Sequence, residues 1–209
     1  TSGLNGTQTT PHASIQDAIT AASNGDTIRV YEGSFPVALT INKELTLEGP
    51  NAGVNGVNGA RGTEAVIDGQ VDVTSDNVTL DGFTFSNLTG NIAIFSDNVG
   101  DLTITNNRVS GVNNTGTAGF AVGIYIKAPT NAVSNFTITA NRIDAIGGPS
   151  TDQAVKAIYV GEPAGQQVIS NVTISGNRID DVESGTSGAY GVHFDHGVGS
   201  TGTLSGIQI

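Results

Sequence analysis

Four segments of the chain carry the same alternation of apolar and polar positions and align without gaps. They are residues 77–88 (NVTLDGFTFSNL), 101–112 (DLTITNNRVSGV), 135–146 (NFTITANRIDAI) and 171–182 (NVTISGNRIDDV), with starts 24, 34 and 36 residues apart. A fifth copy begins at Gly206 and runs to Ile209. A second family lies between them, at 123–126 (GIYI), 157–160 (AIYV) and 191–194 (GVHF), and repeats every 34 residues. Two strand families with one shared period predict a solenoid with one coil per repeat. The elements are short, β-branched and alternating, so the coils are predicted to be strands. After residue 25 no run of 10–15 residues has helical periodicity.

The alternation also assigns an interior. The columns Val78/Leu102/Phe136/Val172 and Leu80/Ile104/Ile138/Ile174 are expected to point inward, with Val109/Ile143/Ile179 turning inward after a bend. Asn107, Asn141 and Asn177 share one position at that bend. Asn tolerates left-handed backbone and bonds its neighbours, so a stacked Asn ladder is predicted. In the second family Ile124/Ile126, Ile158/Val160 and Val192/Phe194 should face the core. Gly123/Tyr125/Lys127, Ala157/Tyr159/Gly161 and Gly191/His193/Asp195 should then face out.

The start of the chain reads differently. Ser14-Ile-Gln-Asp17 has the form of a capping box, and Ile15, Ala18, Ile19 and Ala22 make one helical stripe that Gly25 stops. A cap helix is predicted over 14–24, covering strand edges that the first coil would otherwise expose. Residues 28–30, 37–41, 45–47 and 66–67 are expected to form the first coils, and 51–62 (NAGVNGVNGARG) a loop. The whole chain, 1–209, reads as a single domain.

Composition narrows the partners. The 209 residues hold 8 Lys and Arg against 19 Asp and Glu, a net charge of −11. Nucleic acid and anionic membrane surfaces both need a basic face, which this chain lacks. No apolar run approaches the ~18 residues of a membrane span. Cys is absent, so neither a disulfide framework nor a thiolate metal site exists. Met is absent too, so a processed chain or a piece of a longer one is expected.

The stretches 14–35 (SIQDAITAASNGDTIRVYEGSF), 39–53 (LTINKELTLEGPNAG) and 76–87 (DNVTLDGFTFSN) resemble right-handed parallel β-helix proteins of the pectate-lyase-like superfamily. They are most similar to the opening coils of secreted or surface β-helix modules. The resemblance implies a single-stranded right-handed parallel β-helix that is secreted or at the cell surface. It leaves the activity undetermined, because lyases, hydrolases, epimerases, phage tailspikes and adhesins share that scaffold.

Candidate chemistry gathers in the second strand family. Tyr125, Tyr159 and His193 form an outward column at about one strand spacing, ~4.8 Å. Beside small residues, such a column makes a shallow groove on which a sugar can stack. Lys127, Glu162, Asp195 and His196 lie around it. A lyase or epimerase needs a carboxylate neutraliser, a base and an acid. Lys127, His193, Tyr125 and Tyr159 offer acid and base, and Glu162 with Asp195 offers oxygen ligands for Ca²⁺. The run 193–196 (HFDH) resembles the Asp-Pro-His-Glu signature of mannuronan epimerases. It departs from it in having no Pro after Asp195 and Gly197 where the Glu would stand. Arg108, Arg142 and Arg178 form a further column. Arg142 and Arg178 are candidate contacts for an anionic polymer, or else a charge ladder balanced by Asp144 and Asp180.

Two readings follow. One is an extracellular or cell-surface module with a structural, adhesive or assembly role, binding a glycan or another surface subunit. The other is a Ca²⁺-dependent polysaccharide lyase or uronate epimerase acting on an acidic polysaccharide. A last coil stopping at Ile209 without a cap predicts end-to-end self-association.

Overall fold

The computed structural model describes residues 11–113, 120–128, 132–148, 154–161, 168–185, 187–195 and 203–205. Its strands stack into three parallel sheets with the order expected of a coil that returns after each turn. The first sheet runs Thr27–Arg29, Thr46–Glu48, Val78–Asp81, Leu102–Thr105, Ala132–Thr139, Val168–Ser175 and Thr203–Ser205. The second runs Gly33–Phe35, Ala65–Asp68, Thr84–Asn87, Arg108–Val112, Arg142–Gly148 and Arg178–Ile179, with Val182–Ser184 also pairing Arg142–Gly148. The third runs Leu39–Ile41, Val71–Val73, Ile92–Asp97, Val122–Lys127, Val155–Gly161 and Ala189–Asp195. The architecture is a right-handed parallel β-helix, the hand that parallel crossover connections adopt almost without exception.

The repeat alignment is the strand register. Val78 pairs Leu102, Leu102 pairs Phe136 and Phe136 pairs Val172. All four side chains are buried, as are Leu80, Ile104, Ile138 and Ile174 one step along. Each such side chain removed from water contributes about 1.5–3 kcal/mol. In the last coil described on all three sheets the interior is less sealed. Ile179, Val182, Val192 and Phe194 are only partly buried, whereas Ile143, Ile146, Ile158 and Val160 one coil earlier are fully so. The segment from Gly206 to Ile209 lies outside the described residues.

The cap helix spans Ile15–Ala21 and is shorter than the 14–24 expected. Ser14 is its N-cap, with Oγ accepting from the Asp17 N–H at 3.0 Å. Gly25 does not end it; Ala22 does, by turning extended. The last carbonyls are satisfied from a distance, by Lys43 Nζ donating to Thr20 and Ala22 O at 2.6 Å each. Ile15 and Ile19 plug the coil interior. Gln16 pairs its amide with the Thr40 backbone, accepting from N at 2.9 Å and donating to O at 3.2 Å. One side chain thus stands in for a missing strand at the edge of the third sheet.

The Asn ladder is present. Asn141 Oδ1 accepts from the Asn107 backbone N–H and side-chain amide, at 2.9 and 3.2 Å. Asn177 Oδ1 accepts the same pair from Asn141, at 2.9 and 3.0 Å. Each side-chain amide also donates to a carbonyl of the preceding coil: Leu80, Ile104 and Ile138 O in turn. The left-handed residue of the bend is not the ladder Asn but the one before it. That column is Gly82, Asn106, Ala140 and Gly176, with φ of 80°, 56°, 55° and 62°. Ala140 alone has neither the freedom of Gly nor the polar side chain of Asn. Left-handed backbone costs an ordinary residue about 1–2 kcal/mol, partly offset by the extra unfolded freedom of Gly. Ala140→Gly is therefore expected to raise stability by about 0.5 kcal/mol, read as a higher melting temperature. A lower one would contradict this account.

Residues 51–62 form a loop, as expected, but one that straps three bends together. Gly56 N–H donates to Ala140 O at 2.9 Å, and Gly53 N–H to Asp81 Oδ1 at 3.1 Å. Gly82 has no room for a side chain, because a Cβ there would stand 2.0 Å from Ala52 N. Arg61, its side chain 2% exposed, anchors the strap. It donates to Val54 O (3.1 Å), Asn106 O (2.5 Å) and Phe83 O (3.2 Å), and through Nε and Nη2 to both oxygens of Glu64.

Candidate functional site

Parallel register stacks like positions of the third sheet into columns. Phe95, Tyr125, Tyr159 and His193 form one, Ile92, Val122, Lys156 and Tyr190 a second. Asp97 and Lys127 pair in a third, as do Gly161 and Asp195. The first column is a stack of rings. Tyr125 and Tyr159 lie 4.7 Å apart and nearly parallel, and Tyr159 is 5.3 Å from His193. Phe95 and Phe120 meet Tyr125 edge-on, at 5.3 and 6.3 Å. Tyr190 stacks on His193 at 4.7 Å.

The shallow groove expected here is not formed. Gly123, Ala157 and Gly191 turn inward rather than out. A Cβ on Gly123 would lie 3.3 Å from Ile143 Cγ2 and 3.4 Å from Val109 Cγ1, and Ala157 is fully buried in the main core. Ile124 and Ile158 also face in, so two successive residues point inward and strict alternation breaks. The outward place three residues before each ring is filled by Val122, Lys156 and Tyr190, which crowd the column. With Phe120 over it, Tyr125 is 7% exposed and Tyr159 4%. They form a small second apolar cluster outside the main core, with Ile92, Phe95 and Phe120 packed around it.

Charge collects at the His193 end of the column. Lys156 Nζ sits 4.5 Å above the Tyr159 ring and 5.9 Å from that of Phe120. Burial pushes its ammonium below the ordinary lysine value, against the pull of Asp195. Burial likewise lowers the His193 imidazole, with the Lys156 charge adding to it and Asp195 opposing. Asp195 Oδ2 accepts from the Tyr159 hydroxyl at 3.2 Å. Among the described residues, His193 Nδ1 is buried with no hydrogen-bond partner.

The structure thus joins Tyr125, Tyr159, His193 and Asp195 and adds Lys156 and Tyr190, which the sequence pattern passed over. Their signal was their place three residues before Tyr159 and His193, hidden by the assumption of unbroken alternation. Lys127 shares the sheet but stands beside Asp97, two coils from His193. Arg142 and Arg178 are not part of this site. They lie on the second sheet, each bonded to the carboxylate two residues on: Asp144 at 2.6 Å and Asp180 at 2.5 Å. Glu162 and His196 fall outside the described residues. Among those described, no three acidic or His side chains gather to hold a metal, and Asp195 has one oxygen engaged by Tyr159.

No family model and no curated protein sequence matches the chain. Two solved structures do, both of the pectin methylesterase from Aspergillus niger. The deglycosylated form is 15% identical with a TM-score of 0.45, covering 96% of this chain and 82% of that one. The penultimately deglycosylated form is 16% identical with a TM-score of 0.46 and the same coverage. The likeness is one of fold. Among the described residues no helix is long and apolar enough to cross a membrane. A separate groove of about 510 Å³ follows the second sheet past Leu88, Asn113, Ile146, Asp181 and Glu183. Its carboxylates make it a poor seat for an acidic polymer.

Proposed function

We propose that this chain is a non-catalytic β-helix module of a secreted or cell-surface protein, giving reach, adhesion or assembly. The supporting observation is the state of the Tyr125–Tyr159 pair. Its rings stack on each other under Phe120 and Lys156, and the Tyr159 hydroxyl is bonded to Asp195. A general acid or base must reach the proton it moves. Rings stacked and covered in this way instead stiffen the sheet, as cross-strand aromatic pairs do. Lys127 and His193, two coils apart, are separated along the stack by roughly 10 Å, too far to act on one carbon. The partly exposed Ile179, Val182, Val192 and Phe194 supply a surface for self-association end to end.

The alternative of a Ca²⁺-dependent lyase or epimerase draws on the perturbed Lys156–His193–Asp195 group. Incubation with polyuronates and millimolar Ca²⁺ separates the two. The module should give no unsaturated product absorbing in the ultraviolet and no altered uronate, while its light scattering rises with concentration. Product formation would replace this reading with the enzymatic one.

A further inference from the structure

We propose that the His193 end of the aromatic column is a recognition site for a single oxyanion group, held between Lys156 and His193 against the face of Tyr190. This deepens the adhesive reading by naming what the module holds, and rests on that reading only in that binding occurs without turnover.

Two groups at this place are short of partners. A Lys ammonium has three donors. Around Lys156 the described acceptors are two ring faces and the Ala154 carbonyl, the latter at a long 3.5 Å. Among the described residues no carboxylate lies within ion-pairing distance of its Nζ. The second group is His193 Nδ1, buried without a partner among the described residues. A buried nitrogen left unpaired is costly, and for the half-buried ammonium an aromatic contact satisfies one donor direction at most.

Both groups lie against the Tyr159 ring, Lys156 Nζ at 4.5 Å and the His193 ring at 5.3 Å, and one ligand chemistry meets them. An oxygen anion accepts from Lys156 Nζ, and its charge favours a proton on the His193 ring beside it. The charges then balance. Without ligand, burial and the Lys156 charge favour the neutral His193 ring; with an oxyanion bound, His193 takes up a proton to match it. Among the described residues, the groups facing His193 are Lys156 and Tyr159 from one strand and Tyr190 and Asp195 from its own. A cation at this place would instead meet Lys156. Tyr190, 42% exposed and stacked on His193, offers a flat surface to whatever carries the anion. A chain of net charge −11 repels dense polyanions. The site therefore suits an isolated carboxylate or sulfate or phosphate group on a sparsely charged ligand, rather than a polyuronate.

The test titrates the protein with sodium sulfate, inorganic phosphate and D-glucuronate, following the His193 ring by NMR. A saturable shift is expected, with His193 titrating at higher pH when ligand is bound. Lys156→Met should weaken binding on the order of tenfold or more, the loss of a charge-assisted contact. It should still fold, because it removes a poorly paired, half-buried ammonium; Lys156→Gln repeats the measurement on a polar side chain. Arg29→Gln, on the first sheet, should change nothing. Response to glucuronate with loss in Tyr190→Ala assigns the anion to a sugar acid. Response to sulfate or phosphate alone assigns it to a free ion or ester, and both outcomes support the site. No saturable shift with any of the three at tens of millimolar would overturn it, as would unchanged binding by Lys156→Met. Turnover of a glucuronate-bearing oligosaccharide would sink the non-catalytic reading and leave the site standing.

Discussion

Asn141→Ala is expected to lower stability by about 3–5 kcal/mol, among the largest effects a single change in this chain can have. The side chain is fully buried and takes part in four hydrogen bonds. Ala removes all four and leaves the Asn107 N–H and the Ile104 carbonyl with no water to replace it. Each orphaned buried group costs about 1–3 kcal/mol, which sets the range. The ladder also predicts an order. Asn177→Ala should cost less, because Asn177 is only partly buried, and Asn107→Ala should cost about as much as Asn141→Ala. Urea unfolding with an unchanged slope measures the difference. A loss below about 1 kcal/mol at Asn141 would mean that water enters the bend and that the ladder is not sealed.

Arg61→Ala is expected to cost about 3–5 kcal/mol, the loss typical when one partner of a buried ion pair is removed. Three carbonyls on the strap and two bends lose a donor, and Glu64, its side chain 18% exposed, loses the cation bonded to both of its oxygens. Much of that loss belongs to the stranded carboxylate, so Arg61→Met with Glu64→Leu should recover part of it. The pair also sets an acid limit. Burial alone would raise the Glu64 carboxyl; the Arg61 hydrogen bond and charge, the Thr84 hydroxyl and the Arg108 charge together hold it below the ordinary 4.5. A depressed folded value stabilises the protein above the ordinary value, and that contribution is lost as pH falls through the folded one. The parent should therefore lose stability as pH drops below about 4.5, where this window opens. In Arg61→Ala that part of the acid dependence should vanish or reverse, since burial then dominates Glu64. A parent melting curve flat across that range would contradict the assignment.

How far the candidate site was legible in the sequence follows from what each residue depends on. Tyr125, Tyr159 and His193 were placed in one column by spacing alone, because parallel register repeats whatever the repeat contains. Their burial was not legible. It depends on Phe120, where the next coil has Ala154, and on Val122 and Lys156, which face out because the alternation breaks at Gly123 and Ala157. The Arg column was legible as a charge ladder, yet its pairing with Asp144 and Asp180 had to be seen to separate it from the rings.

By itself the sequence determined the period, the columns that fill the interior, the Asn ladder and the capped N-terminal helix. These are local rules repeated coil after coil, where each residue meets its own equivalents above and below and alternation decides which way it points. Tertiary structure alone decided the phase slip in the third sheet, the strap of residues 51–62 with Arg61 at its centre, and the meeting of Lys156 with His193. Where the alternation breaks depends on how three sheets close around one core. A non-repeating loop chooses its seat by which carbonyls and carboxylates lie within reach of its side chains, and no periodicity in the chain encodes that.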